Sequence, residues 1–263
     1  MHKFKKKYGQ NFISDTNLLN KIVSLIEINP KDTVIEVGPG SGNLTEILVN
    51  TGASVIVYEI DQDLEEVLKE RFGDQIRLVM GDFLTRDLNN DLTNQKNIKM
   101  VANLPYYITT PIIMKILNSP LAINEILIMV QKEVGLRFMA KPNTKEYNAV
   151  SVILQNKYEI TKELDVSKKV FFPIPKVDSV VMKLKLKEKK LIENHESFQK
   201  LVKNSFALKR KTLKNNLSNY NWNEINEFLL KYGYADNVRA EQISVVDFQN
   251  LNKWLNGEKV DKT

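Results

Sequence analysis

The sequence predicts an α/β protein whose parallel, doubly wound sheet is followed by a smaller region made only of helices. Short apolar runs alternate with helical patterns through most of the chain, which is typical of strands joined by crossover helices. A glycine-rich turn, 38–42, directly follows the first of these runs. From Ser197 onward, apolar residues recur only at helical spacing. Because a charge-dense stretch at 187–190 separates the two patterns, we expect one domain over 1–187 and a second over 188–263.

The predicted elements follow one another in a regular order. A basic arm at 3–13 leads into a helix that Ser14 or Asp15 caps. Short apolar segments predict buried strands at 33–37, 54–59, 76–80, 98–102 and 126–130. The helices among them begin near Asn43, Leu64 and Pro111. The chain then continues with a helix at 147–156, a strand at 158–166, a proline-rich loop at 171–176 and a last strand at 179–186.

Composition excludes several kinds of chemistry. The 263 residues contain no cysteine and two distant histidines, so we expect neither a thiolate nucleophile nor a metal site. No apolar run approaches the ~20 residues that a membrane helix needs, so we expect no membrane partner. The basic start lacks an apolar segment, which argues against a secretory signal. A protein that works in the cytoplasm is consistent with these features.

Positive charge is concentrated in one part of the chain. Between Lys183 and Lys214 there are eleven Lys and Arg residues against three acids. That local surplus of eight exceeds the net charge of +6 of the whole chain. Such a concentration is typical of a polyanion-binding surface, although a solvated lysine-rich face remains the alternative. The candidate RNA-binding residues at its end are Lys209, Arg210, Lys211 and Lys214.

The ends of the predicted strands carry residues suited to a nucleoside. In a parallel sheet these ends face one crevice, so their side chains are expected to meet there. Gly38 and Gly40 after the first strand let the backbone approach a ligand closely. Glu59 ends the second strand, where an acid can accept both ribose hydroxyls. Asp82, after the third strand, is placed to accept a hydrogen bond from an adenine amino group.

The glycine spacing distinguishes two cofactor classes. A dinucleotide fingerprint requires Gly-x-Gly-x-x-Gly, but the last position is Asn43 or Thr45, depending on the starting glycine. The sequence also has no Gly-Lys-Ser/Thr phosphate loop. A nucleoside cofactor without a pyrophosphate therefore fits better than a nicotinamide dinucleotide, and S-adenosylmethionine is the obvious one.

The stretch Asn103-Leu104-Pro105-Tyr106 is the predicted centre of the chemistry. Pro105 pushes Leu104 towards an extended conformation, so the Leu104 carbonyl can lie beside the Asn103 side-chain oxygen. Two neighbouring acceptors fit an exocyclic amino group, and Tyr106 offers a face on which a flat base can stack. An ordinary turn after a strand remains the alternative. Phe171, in the proline-rich loop, is expected to hold a second ring over the pocket unless that loop is a plain linker.

Six motifs in order resemble the ribosomal RNA adenine dimethyltransferase family, from about Tyr8 to Leu255. They are Gly9-Gln10-Asn11-Phe12, Glu36-Val37-Gly38-Pro39-Gly40, Glu59-Ile60-Asp61, Gly81-Asp82-x-Leu84, Asn103-Leu104-Pro105-Tyr106 and Phe171-x-Pro173-x-Pro175-Lys176-Val177-Asp178-Ser179. The resemblance implies a Rossmann-like, seven-stranded methyltransferase sheet followed by a small all-helical RNA-binding domain. Two departures are Ile13, where leucine is usual, and Asn148, where glycine is typical.

The resemblance also implies an activity and its residues. The expected enzyme transfers methyl groups from S-adenosyl-L-methionine to the N6 amines of two adjacent adenosines, in a hairpin near the 3′ end of small-subunit rRNA. The implied catalytic residues are Asn103, Leu104, Pro105, Tyr106 and Phe171. The implied cofactor-binding residues are Asn11, Ile13, Gly38, Gly40, Glu59, Ile60, Asp82, Phe83 and Asn103.

Three related interpretations stay open at the level of sequence. Leu104, the run 209–217 and Arg239-Ala240-Glu241 favour the small-subunit enzymes of ribosome assembly over the large-subunit enzymes that give macrolide resistance. A mainly non-catalytic assembly factor is the third. For the favoured interpretation, the partner is ribosomal RNA within a precursor of the small subunit, and the protein is a monomer.

Overall fold

The computed structural model describes residues 12–187, 195–258 and 260. Its strands are β1 (Phe12–Ile13), β2 (Thr33–Val37), β3 (Ser54–Glu59), β4 (Ile76–Met80), β5 (Ile98–Asn103), β6 (Glu125–Gln131), β7 (Tyr158–Val166), β8 (Phe171–Phe172) and β9 (Ser179–Leu186). Its α-helices are α1 (Thr16–Val23), α2 (Asn43–Val49), α3 (Glu65–Phe72), α4 (Leu88–Asp91), α5 (Thr109–Asn118), α6 (Lys132–Phe138), α7 (Ala149–Lys157), α8 (His195–Ser205), α9 (Leu213–Asn216), α10 (Trp222–Lys231) and α11 (Val245–Leu255).

Seven strands form one sheet in the order β4-β3-β2-β5-β6-β9-β7. Strands β2 to β6 pair in parallel, whereas β9 pairs antiparallel with β6. The seven-stranded sheet, the parallel pairing of its first five strands and the helical C-terminal region are confirmed, and the sequence did not predict the antiparallel direction of β9. Since parallel and antiparallel strands share the same side-chain period of two, the apolar pattern alone does not report strand direction.

Most predicted elements have the observed bounds, and the local chemistry explains why. Strand β2 is buried at all five positions, as expected for the middle of a sheet covered on both faces. Asp15 caps α1 by accepting the Leu18 N–H at 3.1 Å. Asn148 caps α7 in an extended conformation at φ −156°, in a capping box with Ser151. Replacing the typical glycine by Asn148 therefore requires no left-handed backbone.

Four short elements were not anticipated from sequence, two helices and two strands. Helix α4 is four residues long, and helix α6 follows β6 directly and is seven residues long. Strands β1 and β8 pair antiparallel as a two-residue ribbon, in which Phe12 is opposite Phe172 and Ile13 is opposite Phe171. Segments this short carry too few residues for a periodic signal. The ribbon nevertheless matters, because it brings the first described residues to the proline-rich loop.

The chain divides into two compact units, and their boundary differs from the expected one after Lys187. The first unit contains the described residues up to Gly135 together with Ile160–Leu186. The second contains Leu136–Glu159 and the described residues from Lys187 onward. Helix α7 belongs to the second unit because it packs against α8 and α11. The expected linker at 188–190 lies outside the described residues.

Candidate active site

A cavity opens at the carboxyl ends of β2, β3, β4 and β5, where a doubly wound sheet binds its ligands. It encloses about 940 Å³ of empty space. Nearly all residues expected from the sequence line this one cavity, and they are Ile13, Gly38, Gly40, Glu59, Ile60, Asp82, Phe83, Asn103, Leu104, Pro105 and Tyr106. Asn11 lies outside the described residues.

The turn after β2 depends on the absence of a side chain at Gly40. Gly40 has φ +59°, and an added Cβ would lie 2.0 Å from Cε1 of Phe12. Any side chain there would have to displace the Phe12 ring, which itself lines the cavity. The position of the Phe12 ring on β1 therefore depends on a glycine at position 40. Sequence analysis did not identify Phe12 as part of the site.

Glu59 ends β3 as a buried carboxylate that is only partly used by the protein. Its Oε1 accepts the Asp61 N–H at 2.8 Å, and its Oε2 accepts the Gly40 N–H at 3.4 Å. Burial raises the pKa of Glu59 above its ordinary value, while these backbone donors oppose the rise. Because a carboxylate has about four acceptor sites, Glu59 keeps capacity for the hydroxyls of a ribose.

Glu36 is a second carboxyl group in the cavity that sequence analysis did not select. It is 1 % exposed, and its Oε2 accepts the Thr45 hydroxyl at 2.7 Å. Burial and, to a lesser extent, the nearby charge of Glu59 raise the pKa of Glu36 to about 8, while the hydrogen bond from Thr45 opposes the rise. Glu36 therefore places a second, mostly protonated carboxyl group at the cavity wall at neutral pH. The sequence signal that could have identified Glu36 is its position as a charged residue inside an otherwise apolar, buried strand.

Asp82 and Phe83 form the wall beyond β4. The Asp82 side chain accepts the Leu84 N–H at 2.9 Å and so caps the short turn that follows. Phe83 is buried against Tyr58 in an edge-on contact, with ring centroids 5.0 Å apart. Ile60 adds an apolar surface to the same wall. A flat base would find apolar contact and a carboxylate acceptor together here.

The Asn103–Tyr106 segment begins on the last residue of β5. Asn103 pairs in register with Met129 of β6, and the Leu104 N–H donates to the Met129 carbonyl at 3.2 Å. The Pro105 carbonyl accepts the N–H of Ile108 at 3.2 Å. Within the part of the chain that the structure describes, the Leu104 carbonyl accepts no backbone hydrogen bond. The backbone is thus held firmly while one acceptor beside Asn103 stays available.

Tyr106 is held at the cavity by its hydroxyl group, which lies 2.7 Å from Oγ of Ser179. Burial raises the pKa of Tyr106, so the phenol stays protonated at neutral pH.

Phe171 does not take the expected place on the other face of a base. It is 2 % exposed, and its ring packs edge-on against Tyr106 at 6.4 Å and 71°. A base cannot stack in parallel between these rings, so Phe171 supports Tyr106 from the core.

The four cations expected to bind RNA all lie exposed in the second unit, between α8 and α9 or on α9. They are Lys209, Arg210, Lys211 and Lys214. Lys209 also lines an open groove, with about 1150 Å³ of empty space, that contains Lys145 and Arg239. Sequence analysis did not select those two, because residues so far apart in the chain show no common pattern. The groove therefore gathers positive charge beyond the run 209–214.

A seven-stranded sheet with a cavity at its strand ends is the architecture of a Rossmann-like methyltransferase. The model of the ribosomal RNA adenine dimethylase family matches residues 1–257, so the chain belongs to that family. A relative from Aster yellows witches'-broom phytoplasma (strain AYWB), named ribosomal RNA small subunit methyltransferase A, is 46% identical over 97% of both chains. One of the same name from Streptococcus pneumoniae is 41% identical over 97% of this chain and 93% of its own.

Solved structures agree with this assignment. A dimethyladenosine transferase from Plasmodium falciparum superposes with a TM-score of 0.75 at 25% identity, over 91% of this chain and 95% of its own. The 23S rRNA methyltransferase ErmE superposes with a TM-score of 0.71 at 25% identity, over 93% and 99%. The family confirms the expected enzyme class and its methyl donor, S-adenosyl-L-methionine. Among the described helices, none is both long and apolar enough to cross a bilayer.

Proposed function

We propose that this protein dimethylates the N6 amines of two adjacent adenosines in a hairpin near the 3′ end of small-subunit rRNA, during ribosome biogenesis. The observation that carries the proposal is the cavity in which Asn103, the Leu104 carbonyl and Tyr106 meet beside the acids at the ends of β2 and β3. The relatives at 41% and 46% identity favour the small subunit over the large one. Cytoplasmic location, a precursor particle as substrate and a monomeric enzyme belong to the same proposal.

The residues of the cavity fit S-adenosyl-L-methionine, which supplies an electrophilic methyl group when bound. Glu59 would accept the ribose hydroxyls, and Asp82 would accept the amino group of the cofactor's adenine. Ile60 and Phe83 would contact its ring, while Gly38 and Gly40 let the backbone approach. Ile13 and the undescribed Asn11 complete the expected set. The positive charge of the cofactor would also favour the ionised form of Glu59.

The target adenine would be held by its amino group and by one face. Asn103 Oδ1 and the Leu104 carbonyl would each accept one N–H, which favours a more pyramidal nitrogen with an available lone pair. Pro105 stiffens this pair of acceptors. Tyr106 would stack on the base, which must leave its helix to enter the cavity. Catalysis then rests mainly on positioning, and no strong base is needed because the cationic nitrogen product loses its proton readily.

Affinity for rRNA would come from the exposed cations of the second unit. Lys209, Arg210, Lys211 and Lys214 would contact phosphates, and the groove with Lys145 and Arg239 extends the positive surface. Phosphate contacts release counterions, so binding should weaken steeply as salt rises. Such contacts give affinity but little sequence information, which leaves selection of the adenosine to the cavity.

Methylation of purified ribosomal RNAs tests the proposal. We expect the protein, given S-adenosyl-L-methionine, to form dimethyladenosine in small-subunit rRNA or in precursor small subunits from cells that lack this enzyme. Mass spectrometry of nuclease fragments would locate the modified residues. Methylation confined to 23S rRNA would instead identify the large-subunit activity. Binding of the rRNA without any methyl transfer would support the non-catalytic assembly factor.

A further inference from the structure

The proline-rich loop between β8 and β9 exposes apolar side chains instead of burying them. Phe172 and Ile174 are each 64% exposed, and Val177 is 43% exposed. Phe171, their neighbour, is buried. Scattered exposed apolar residues are common, but three within six positions of one loop form a local apolar patch on the surface.

Contacts at both ends hold this loop in place. Its start is anchored by Phe171, which pairs with Ile13 and packs against Tyr106. Near its end, Asp178 accepts the Lys168 N–H through Oδ1 at 2.9 Å and the Lys132 N–H through its carbonyl at 3.0 Å. Since the conformation is fixed before any partner binds, the exposed side chains lose little entropy on binding.

The exposed patch lies next to the candidate active site. Phe172 is opposite Phe12 in the β1–β8 ribbon, and Phe12 lines the cavity. Tyr106, which also lines the cavity, contacts the loop on both sides, through Phe171 and through Ser179. A molecule that reaches into the cavity would therefore pass the patch.

The charge around the patch identifies the partner. Between Asp165 and Asp178 the chain has three lysines, Lys168, Lys169 and Lys176, and no acidic residue. Aromatic and aliphatic side chains flanked by cations match the stacked bases and phosphates of RNA. Apolar wedges of Phe, Ile and Pro are also the side chains that separate stacked bases in nucleic-acid complexes.

We propose that Phe172 and Ile174 form a wedge that stacks on the nucleotide beside the target adenosine and fills the gap left when that adenosine turns into the cavity. This inference rests on the proposed function. The wedge is a positioning device, because it acts on the neighbouring base and not on the reacting amine. It offsets part of the energy that is needed to unstack the target base.

The test compares a structured substrate with one that is already unstacked. The variants are Phe172→Ala and Ile174→Ala, and Leu230→Ala on α10 of the second unit is the matched control because it is 62% exposed. For the structured rRNA we expect kcat/KM to fall by about tenfold, as for loss of one stacked base. For a short single-stranded oligonucleotide, the variants and the control should stay within about threefold of the parent protein.

A second readout reports extrusion directly. An rRNA hairpin with 2-aminopurine in place of the target adenosine should gain fluorescence when the parent protein binds, because the base leaves its stack. We expect that gain to be lost in Phe172→Ala and largely restored in Phe172→Trp. Calorimetry with S-adenosyl-L-methionine should give the parent affinity for each variant, which checks that the cavity is intact.

Each outcome has a defined meaning. Equal losses on the structured and single-stranded substrates, or an undiminished fluorescence gain, would overturn the wedge. If Phe172→Ala disturbs the β1–β8 ribbon and weakens cofactor binding, the wedge is tested instead by the rates and the fluorescence gain of Ile174→Ala and Phe172→Trp. Failure of the parent protein itself to methylate rRNA would instead overturn the proposed function, and the wedge with it.

Discussion

The cavity of the first unit and the cationic surface of the second unit are built in opposite ways. In the cavity, Glu59 and Leu104 are 4% and 1% exposed, and backbone hydrogen bonds from neighbouring strands hold them. The cations at 209–211 and 214 are all exposed on a turn and a short helix. Recognition in the cavity therefore depends on geometry, where one atom is decisive. Recognition by the cations depends on their summed charge, and each cation contributes only a small part of the binding energy.

The largest effect should come from removing one acceptor of the proposed pair. We expect Asn103→Ala to lower the rate of methyl transfer by about 100-fold or more, the scale for loss of one preorganised hydrogen-bond partner. Affinity for S-adenosyl-L-methionine should fall at most moderately. Radiolabelled methyl transfer and calorimetry measure the two quantities. Asn50→Ala, at an exposed helix end, is the control, and an undiminished rate in Asn103→Ala would refute the acceptor pair.

Two glycine substitutions separate backbone strain from close packing. Gly40 and Gly73 both have positive φ, but only Gly40 has an atom within 4 Å of an added Cβ. Gly73→Ala should cost roughly 1–3 kcal/mol of unfolding free energy through backbone strain and leave cofactor affinity unchanged. Gly40→Ala should also displace Phe12 and lower cofactor affinity at least about tenfold. Urea unfolding and calorimetry test this, and equal cofactor affinities in the two variants would show that the Phe12 contact is unimportant.

The cationic surface should respond in a graded, salt-dependent way. Neutralising Lys209, Arg210 and Lys211 together to Gln should weaken rRNA binding and lower the slope of log affinity against log salt by about three, roughly one per phosphate contact. Cofactor affinity should not change. The control replaces three exposed lysines of the first unit (Lys31, Lys69 and Lys96) and has the same net charge. Similar binding by the two variants would mean that total charge, and not its location, governs affinity.

A further expected effect is a change of stability with pH. A carboxyl group whose pKa rises on folding from 4.5 to about 8, as at Glu36, makes the folded state bind more protons than the unfolded one. Its ionisation destabilises the fold, so stability should fall as pH rises between these values, by up to about 1.4 kcal/mol per pH unit. Glu36→Gln should flatten that dependence in urea unfolding at pH 5.5 to 8. Parallel curves for the two proteins would contradict the buried-carboxyl account.

The sequence predicted some residues of the cavity and missed others. The acids at strand ends, Glu59 and Asp82, and the Asn103 segment were identified because each directly follows an apolar strand. Phe12 and Glu36 were missed, since their importance depends on which atoms pack against them. Phe171 was assigned to the base because motif spacing does not reveal which of two adjacent aromatics is buried. The structure buries Phe171 and exposes Phe172, which changes the role that each can play.

Local pattern and residue chemistry alone specified the strand positions, the glycine turn and the preference for a nucleoside cofactor, because these depend on neighbours within a few residues. The antiparallel direction of β9, the two-residue ribbon of β1 and β8, and the transfer of Leu136–Glu159 to the second unit required the folded chain. Each of these depends on contacts between residues far apart in sequence. Which of these contacts form depends on the relative free energies of many alternative packings of the whole chain. A short segment of sequence therefore does not determine them.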